Sequence, residues 1–110
     1  MISFDDFHKV EMHVGTILEA VDFPKARKPA YQLTIDFGET LGIKRSSAQI
    51  TVLYKKEDLI GRQVIAVTNF PPRQIANFFS EVLVLGSVDT EGVVTLLKLD
   101  APVENGLRIA

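Results

Sequence analysis

Every second residue from Tyr31 to Phe37 is apolar: Tyr31, Leu33, Ile35 and Phe37 alternate with Gln32, Thr34 and Asp36. Side chains of an extended strand point to opposite faces in turn, so this spacing puts the apolar residues on one face. At helical periodicity the same residues would scatter around the axis and share no buried stripe. The segment therefore predicts a half-buried strand, and such a strand requires a sheet whose apolar face is covered.

Glycine and proline cut the rest of the chain into short pieces, most of which alternate in the same way. Residues 3–7, SFDDF, predict one helical turn with Ser3 as N-cap and Asp6 as the acidic partner of a capping box. Residues 12–23 predict a long strand in which Val14, Thr16 and Leu18 face away from Gly15 and Ile17. Gly15 inside it marks a bulge or sharp bend. Residues 23–30 read as a loop closed by Pro24 and Pro29, and residues 38–42 as a turn. A third strand over 43–52 points Ala48 and Ile50 inward, and residues 53–61 predict a short helix stopped by Gly61. Residues 62–70 are a fourth strand, 71–79 a loop and 80–88 a fifth strand. Residues 92–99 and 106–110 add shorter strand material.

Three strands, a helix and two strands is the order of an OB-fold. The predicted class is all-β: a five-stranded OB-fold barrel with a short helix between strands 3 and 4. With 110 residues, no repeat and no linker composition, residues 1–110 form one domain. OB-folds bind ligands over strands 2 and 3 and with the loops joining strands 1–2 and 4–5. Those loops here are residues 24–30 and 71–80. The first carries Lys25, Arg27 and Lys28 with no acid, strand 3 opens with Lys44 and Arg45, and the second carries Arg73 and the adjacent Phe78 and Phe79. Cations set a phosphate backbone in register, and aromatic faces stack on bases or accept apolar side chains. The competing reading leaves the cations as solvated loop charges and buries both rings beneath their own loop.

Other functions find less support. The net charge of −2 rules out a generic polyanion binder, so any nucleic-acid site is a local basic patch. With no cysteine there is no disulfide framework and no thiolate ligand or nucleophile. The residues around Ser46 and Ser47 form no nucleophile elbow, and there is no glycine-rich phosphate loop. His8 and His13 do not share a helical face, so no metal site is expected, and no cofactor. No apolar run is long enough for a membrane span, and the first residues are acidic where a signal peptide is basic. A cytoplasmic, non-enzymatic binding module without membrane insertion is expected.

The strings VEMHVGTILEA, DFGE, LIGRQVIAV and NFPPRQIANFFSE resemble the tRNA-binding domain found as the C-terminal appendage of methionyl-tRNA synthetase and in the endothelial-monocyte-activating polypeptide. KARKPAYQLTIDFG, IKRSSAQIT and SEVLVLG are most similar to its stand-alone CsaA branch, described as an export-related chaperone. The resemblance covers nearly the whole chain. It implies an OB-fold homodimer whose short terminal extensions pack at the two-fold, through Ile2, Phe4, Phe7, Leu107 and Ile109. It implies recognition of tRNA by shape, with Lys25, Arg27, Lys28, Lys44, Arg45, Ser47, Arg73 and Ser80 as the RNA-contacting set. For the CsaA branch it implies unfolded or pre-secretory polypeptide as ligand, with the export motor protein as a further partner. Phe78, Phe79 and Leu83 are the expected peptide contacts, with Phe79 the ring expected to face the ligand and the other ring expected to anchor the loop to the barrel.

The carry-over is partial. Lys28 and Ala26 match the family's first loop, Ser47-Ala48 stands for its Ser-Gly, and Asn69 and Pro72 are kept. Gln74 and Ala76 stand where many tRNA-binding members are basic. Ser80-Glu81-Val82-Leu83 replaces Ser-Glu-Gly-Met, and Phe79 replaces a polar residue. Fewer cations weaken the counterion-release term, while added apolar area favours a polypeptide. The alternative implied by the same resemblance is a dedicated structure-specific tRNA-binding protein with no chaperone role.

Overall fold

The computed structural model describes residues 1–110. Helix α1 (Phe4–His8) is the expected capped turn: the Asp6 N–H donates to Ser3 Oγ and the Ser3 N–H to Asp6 Oδ2. Those bonds hold the Asp6 carboxyl below its ordinary range. The helix buries none of its own residues, so polar bonds and neighbours must fix it in place.

Strand β1 (Met12–Asp22) serves two partners. Met12–Thr16 pair with β4 (Gln63–Val67), and Thr16–Asp22 pair with β2 (Tyr31–Asp36). The register slips between Ile17 and Glu19, leaving Leu18 as the extra residue of a bulge. Gly15 is therefore not the bulge. A β-carbon there would lie 2.6 Å from Ile35 Cγ2 and 2.7 Å from the Phe37 ring, so glycine is needed because the core packs directly on its backbone. On β2 the alternation is as predicted: Tyr31, Leu33 and Ile35 are buried, and Phe37 continues the same face beyond its end.

After β2 the chain turns through α2 (Gly38–Leu41), which the sequence shows only as a turn, into β3 (Ile43–Ala48). Helix α3 (Lys56–Leu59) inserts Leu59 into the core between β3 and β4, and Gly61 follows at φ +86°. Ser46 is the buried residue at the middle of β3, while Ile50 is buried only beyond the strand's end.

Two expectations change in the last third. Residues 71–79 are not an open loop but the start of a hairpin, β5 (Arg73–Ile75) with β6 (Phe78–Ser80). Its two-residue turn forces Ala76 to φ +54° without the glycine that would announce it. The predicted fifth strand is divided into β7 (Leu83–Val84), paired with β4, and β8 (Gly86–Val88), paired with β9 (Val94–Leu96). Gly86 allows the close approach, because a β-carbon there would lie 2.6 Å from the Thr95 carbonyl oxygen.

The main sheet runs β3-β2-β1-β4-β7, all antiparallel. It closes where β3 meets residues 80–82, and side chains supply most of the seam. The Glu81 N–H donates to the Arg45 carbonyl at 2.8 Å, but the Arg45 N–H donates to Glu81 Oε1 and the Ser47 N–H to Ser80 Oγ, each at 3.0 Å. Inside the seam Ser46 Oγ donates to the Val82 carbonyl at 3.0 Å. This is the predicted barrel, with Ile17, Leu33, Ile35, Phe37, Leu59, Val64 and Ala66 fully buried within it.

The two termini lie side by side on β1. The Gly106 and Ile109 N–H groups donate to the Val14 and Met12 carbonyls, and Arg108 Nη2 donates to the His8 carbonyl. Asn69 clasps the segment after α1 by accepting from the Glu11 N–H and donating to the Lys9 carbonyl. His13 Nδ1 lies 2.8 Å from Thr68 Oγ1, whose hydroxyl donates onward to the Glu11 carbonyl, so Nδ1 is the donor in this contact.

Partial burial pushes the His13 pKa below 6.5; the Glu11 carboxylate opposes this and the Arg108 guanidinium adds to it. Near pH 6.5 the unfolded chain then binds the proton more readily than the folded one. The contribution of neutral His13 is complete above that pH and is lost as pH falls through it toward the lower folded value. Urea midpoints are expected to fall between about pH 7.5 and about pH 5, and to fall less in His13→Gln. Equal slopes for parent and variant would remove His13 from the account.

Candidate nucleic-acid and peptide interface

Loop 23–30 and the β5–β6 hairpin meet at one end of the barrel, held by a small core of their own. Phe78 is 2% exposed and packs with Phe23, Ala30, Ala26 and Ile75, its ring centroid 5.3 Å from that of Phe23. Lys25, Arg27 and Lys28 are exposed on the loop so anchored. The Arg45 guanidinium carbon lies 4.4 Å from the Phe78 ring centroid, and Nη2 donates to Gln32 Oε1 at 3.3 Å. The same ring therefore braces the loop, the hairpin and a β3 cation. Arg73, which the hairpin carries two residues before Ile75, belongs to the same end.

Lys44 and Arg45 are neighbours in sequence but take opposite faces of β3. Arg45 stands across from Thr34 on the outer face, whereas Lys44 stands across from buried Ile35 and its Nζ lies 4.0 Å from Glu81 Oε2. Glu81 thus caps a β3 amide with one oxygen and offsets a β3 cation with the other. Ser80 spends its hydroxyl oxygen on the Ser47 amide.

Beneath this end runs a groove of about 350 Å³. Phe70, Pro71, Ile75, Val82 and Leu83 give it an apolar lining, and Ser47, Arg73, Ser80 and Glu81 supply its polar groups. A larger cavity of about 800 Å³ lies between α2 and the C-terminal segment, but Glu11, Glu39 and Glu104 give it the wrong sign for a polyanion.

The structure separates the residues expected to contact a peptide. Phe78 is buried and cannot touch a ligand; its place in the site is as a brace. Phe79 is 55% exposed, but it pairs with Gln74 on the hairpin face opposite to Ile75 and Ser80, outside the groove. Leu83 lines the groove and is 49% exposed. Phe70 and Pro71 escape the sequence reading, whereas Ile75 and Val82 are legible in the apolar strings IANFF and VLVL without their place in a groove. Only the hairpin fold brings the four to one wall. At the termini Ile2, Phe4 and Leu107 are exposed, whereas Phe7 and Ile109 are half-buried.

The family model described as "Putative tRNA binding domain" matches residues 12–108. The chain belongs to the tRNA-binding domain family. Within it, the chain is 55% identical to the CsaA chaperone protein from Picrophilus torridus, each covering 100% of the other, with a TM-score of 0.93. It is 52% identical to the chaperone CsaA from Bacillus anthracis str. Ames, over 100% of this chain and 99% of that one, with a TM-score of 0.95. These likenesses put it in the CsaA branch of the tRNA-binding domain family, in keeping with the strings KARKPAYQLTIDFG and SEVLVLG. The methionine–tRNA ligase of Methanoregula boonei is 37% identical over 110 residues. That match covers 99% of this chain and 16% of the ligase, so the chain spans about a sixth of the length of such relatives. The resemblance is to a tRNA-binding module rather than to a catalytic domain.

Proposed function

We propose that the chain is a non-enzymatic, dimeric, export-related chaperone of the cytoplasm. Unfolded or pre-secretory polypeptide sits in the groove beside the β5–β6 hairpin, and structured RNA such as tRNA binds the basic end of the barrel. The observation that carries this reading is that one clamp, Phe78, holds the cationic loop, Arg45 and the groove-lining hairpin together. Lys25, Arg27, Lys28, Arg45 and Arg73 meet phosphates, with Ser47 and Ser80 beside them; Lys44, on the opposite face of β3 beside Glu81, stands apart from this set. Leu83 and the apolar wall take client side chains, each Å² covered contributing about 25 cal/mol. Phe79 offers a second exposed ring on the outer face of the hairpin.

Dimerisation through Ile2, Phe4, Phe7, Leu107 and Ile109 fits the adjacent termini and an α1 that buries nothing of its own. The self-complementary patch would be the same on both copies. The export motor protein, a partner implied by the branch, belongs to the same proposal.

The test pairs fluorescence anisotropy of labelled total tRNA at several salt concentrations with light scattering of a denatured client. The expected tRNA affinity falls steeply with salt, by about 0.7–0.9 unit of log–log slope per phosphate contact. Client aggregation is expected to be suppressed with little dependence on salt. The second reading, a dedicated tRNA-binding protein with no chaperone role, is supported by the ligase likeness and predicts the first result without the second. If tRNA is not bound at low salt and the client aggregates unhindered, both readings fail.

A further inference from the structure

We infer that structured RNA and polypeptide exclude one another on this protein, so that RNA acts as a release factor for bound client. The inference rests on the proposed function and adds the relation between its two ligands. The groove is walled on one side by β3, through Ser47, and on the other by the hairpin, through Arg73 and Ile75. Arg73 lines the groove itself, so an RNA phosphate held by Arg73 sits at its mouth. A polypeptide seated against Leu83 and Phe70 must enter by the same mouth.

Two further features prevent joint occupancy. At about 350 Å³ the groove is near the lower end of ligand-pocket volumes, with room for one occupant. It also cannot widen without breaking its seam, because the Ser47–Ser80, Arg45–Glu81 and Ser46–Val82 bonds tie its walls together. Glu81 adds an electrostatic term. It is the one acidic residue of the lining, and its charge disfavours a phosphate in the interior, so RNA caps the mouth and does not share the apolar wall.

The experiment uses the full chain, total tRNA and a fluorescently labelled, uncharged, extended apolar peptide, which has no charge with which to bind tRNA itself. Each ligand is first titrated alone at one fixed salt concentration. The peptide titration is then repeated with tRNA at ten times its own Kd. Competition for one mouth raises the apparent peptide Kd about elevenfold, and the Kd keeps rising in proportion as tRNA is added. An unchanged peptide Kd, or a rise that levels off with both ligands bound, overturns the exclusion while leaving the proposed function standing. Failure of either ligand to bind alone overturns the proposed function and the exclusion with it.

Discussion

Phe78→Ala is expected to destabilise the protein by about 3–5 kcal/mol, the cost of emptying a fully enclosed phenyl site. Phe78 is 2% exposed and packs against Phe23 and the Arg45 guanidinium, so truncation leaves a void and frees three elements at once. For a domain of this size the melting temperature should fall by more than about 10 °C. Phe79→Ala is the internal control. Its ring is 55% exposed and makes none of these contacts, so its loss should change stability by about 0.5 kcal/mol or less. Denaturant unfolding of the two variants beside the parent decides the matter. Two adjacent phenylalanines with equal effects would mean that the clamp does not hold the loop and hairpin. In the Phe78 variant both ligands should also bind more weakly, because the cations and the groove lose their common support.

The second large effect concerns the loop cations. Replacing Lys25, Arg27 and Lys28 together by alanine removes three exposed charges, while the buried Phe23 and Ala30 that anchor the loop remain. Stability should change little. If each cation meets one phosphate, the salt slope for tRNA should fall by about 2–3 units. At about 0.1 M salt that corresponds to a loss of affinity on the order of 10²–10³-fold. Unaltered slope in the triple variant would relocate the RNA site away from this end. An intact apolar peptide affinity in the same variant would show that the loop serves the RNA alone.

How much of this could be read from the residues depends on how local each signal is. The alternation of Tyr31 to Phe37, the Ser3 capping box and the Gly61 stop are set by neighbours within a few positions, and each is found where it was expected. Gly15 carried a real signal that sequence alone could not resolve. A strand glycine marks either a bend or a close approach, and only the Ile35 and Phe37 atoms facing it decide between them. The β5–β6 hairpin was hidden because its turn uses Ala76 and Asn77, not the Asn-Gly pair that announces such turns. Missing the hairpin also hid the groove. Phe70, Ile75 and Val82 have no shared periodicity, and folding alone brings them together. The sequence favours Phe79 as the outward ring and Phe78 as the anchor, and the hairpin supplies the reason: of two adjacent strand residues only one can face inward, and Phe78 is the buried one.

The seam of the barrel gives Ser80 and Glu81 a duty separate from any ligand. An edge strand with bare amides is a template on which another chain can add, and long exposed edges of that kind drive aggregation. Here the amides of Arg45 and Ser47 are occupied by side-chain oxygens, so β3 is masked without a complete neighbouring strand. Under the proposed function a holder of sticky polypeptides would thereby deny them its own sheet as a nucleus, with two polar side chains keeping the handler out of the precipitate.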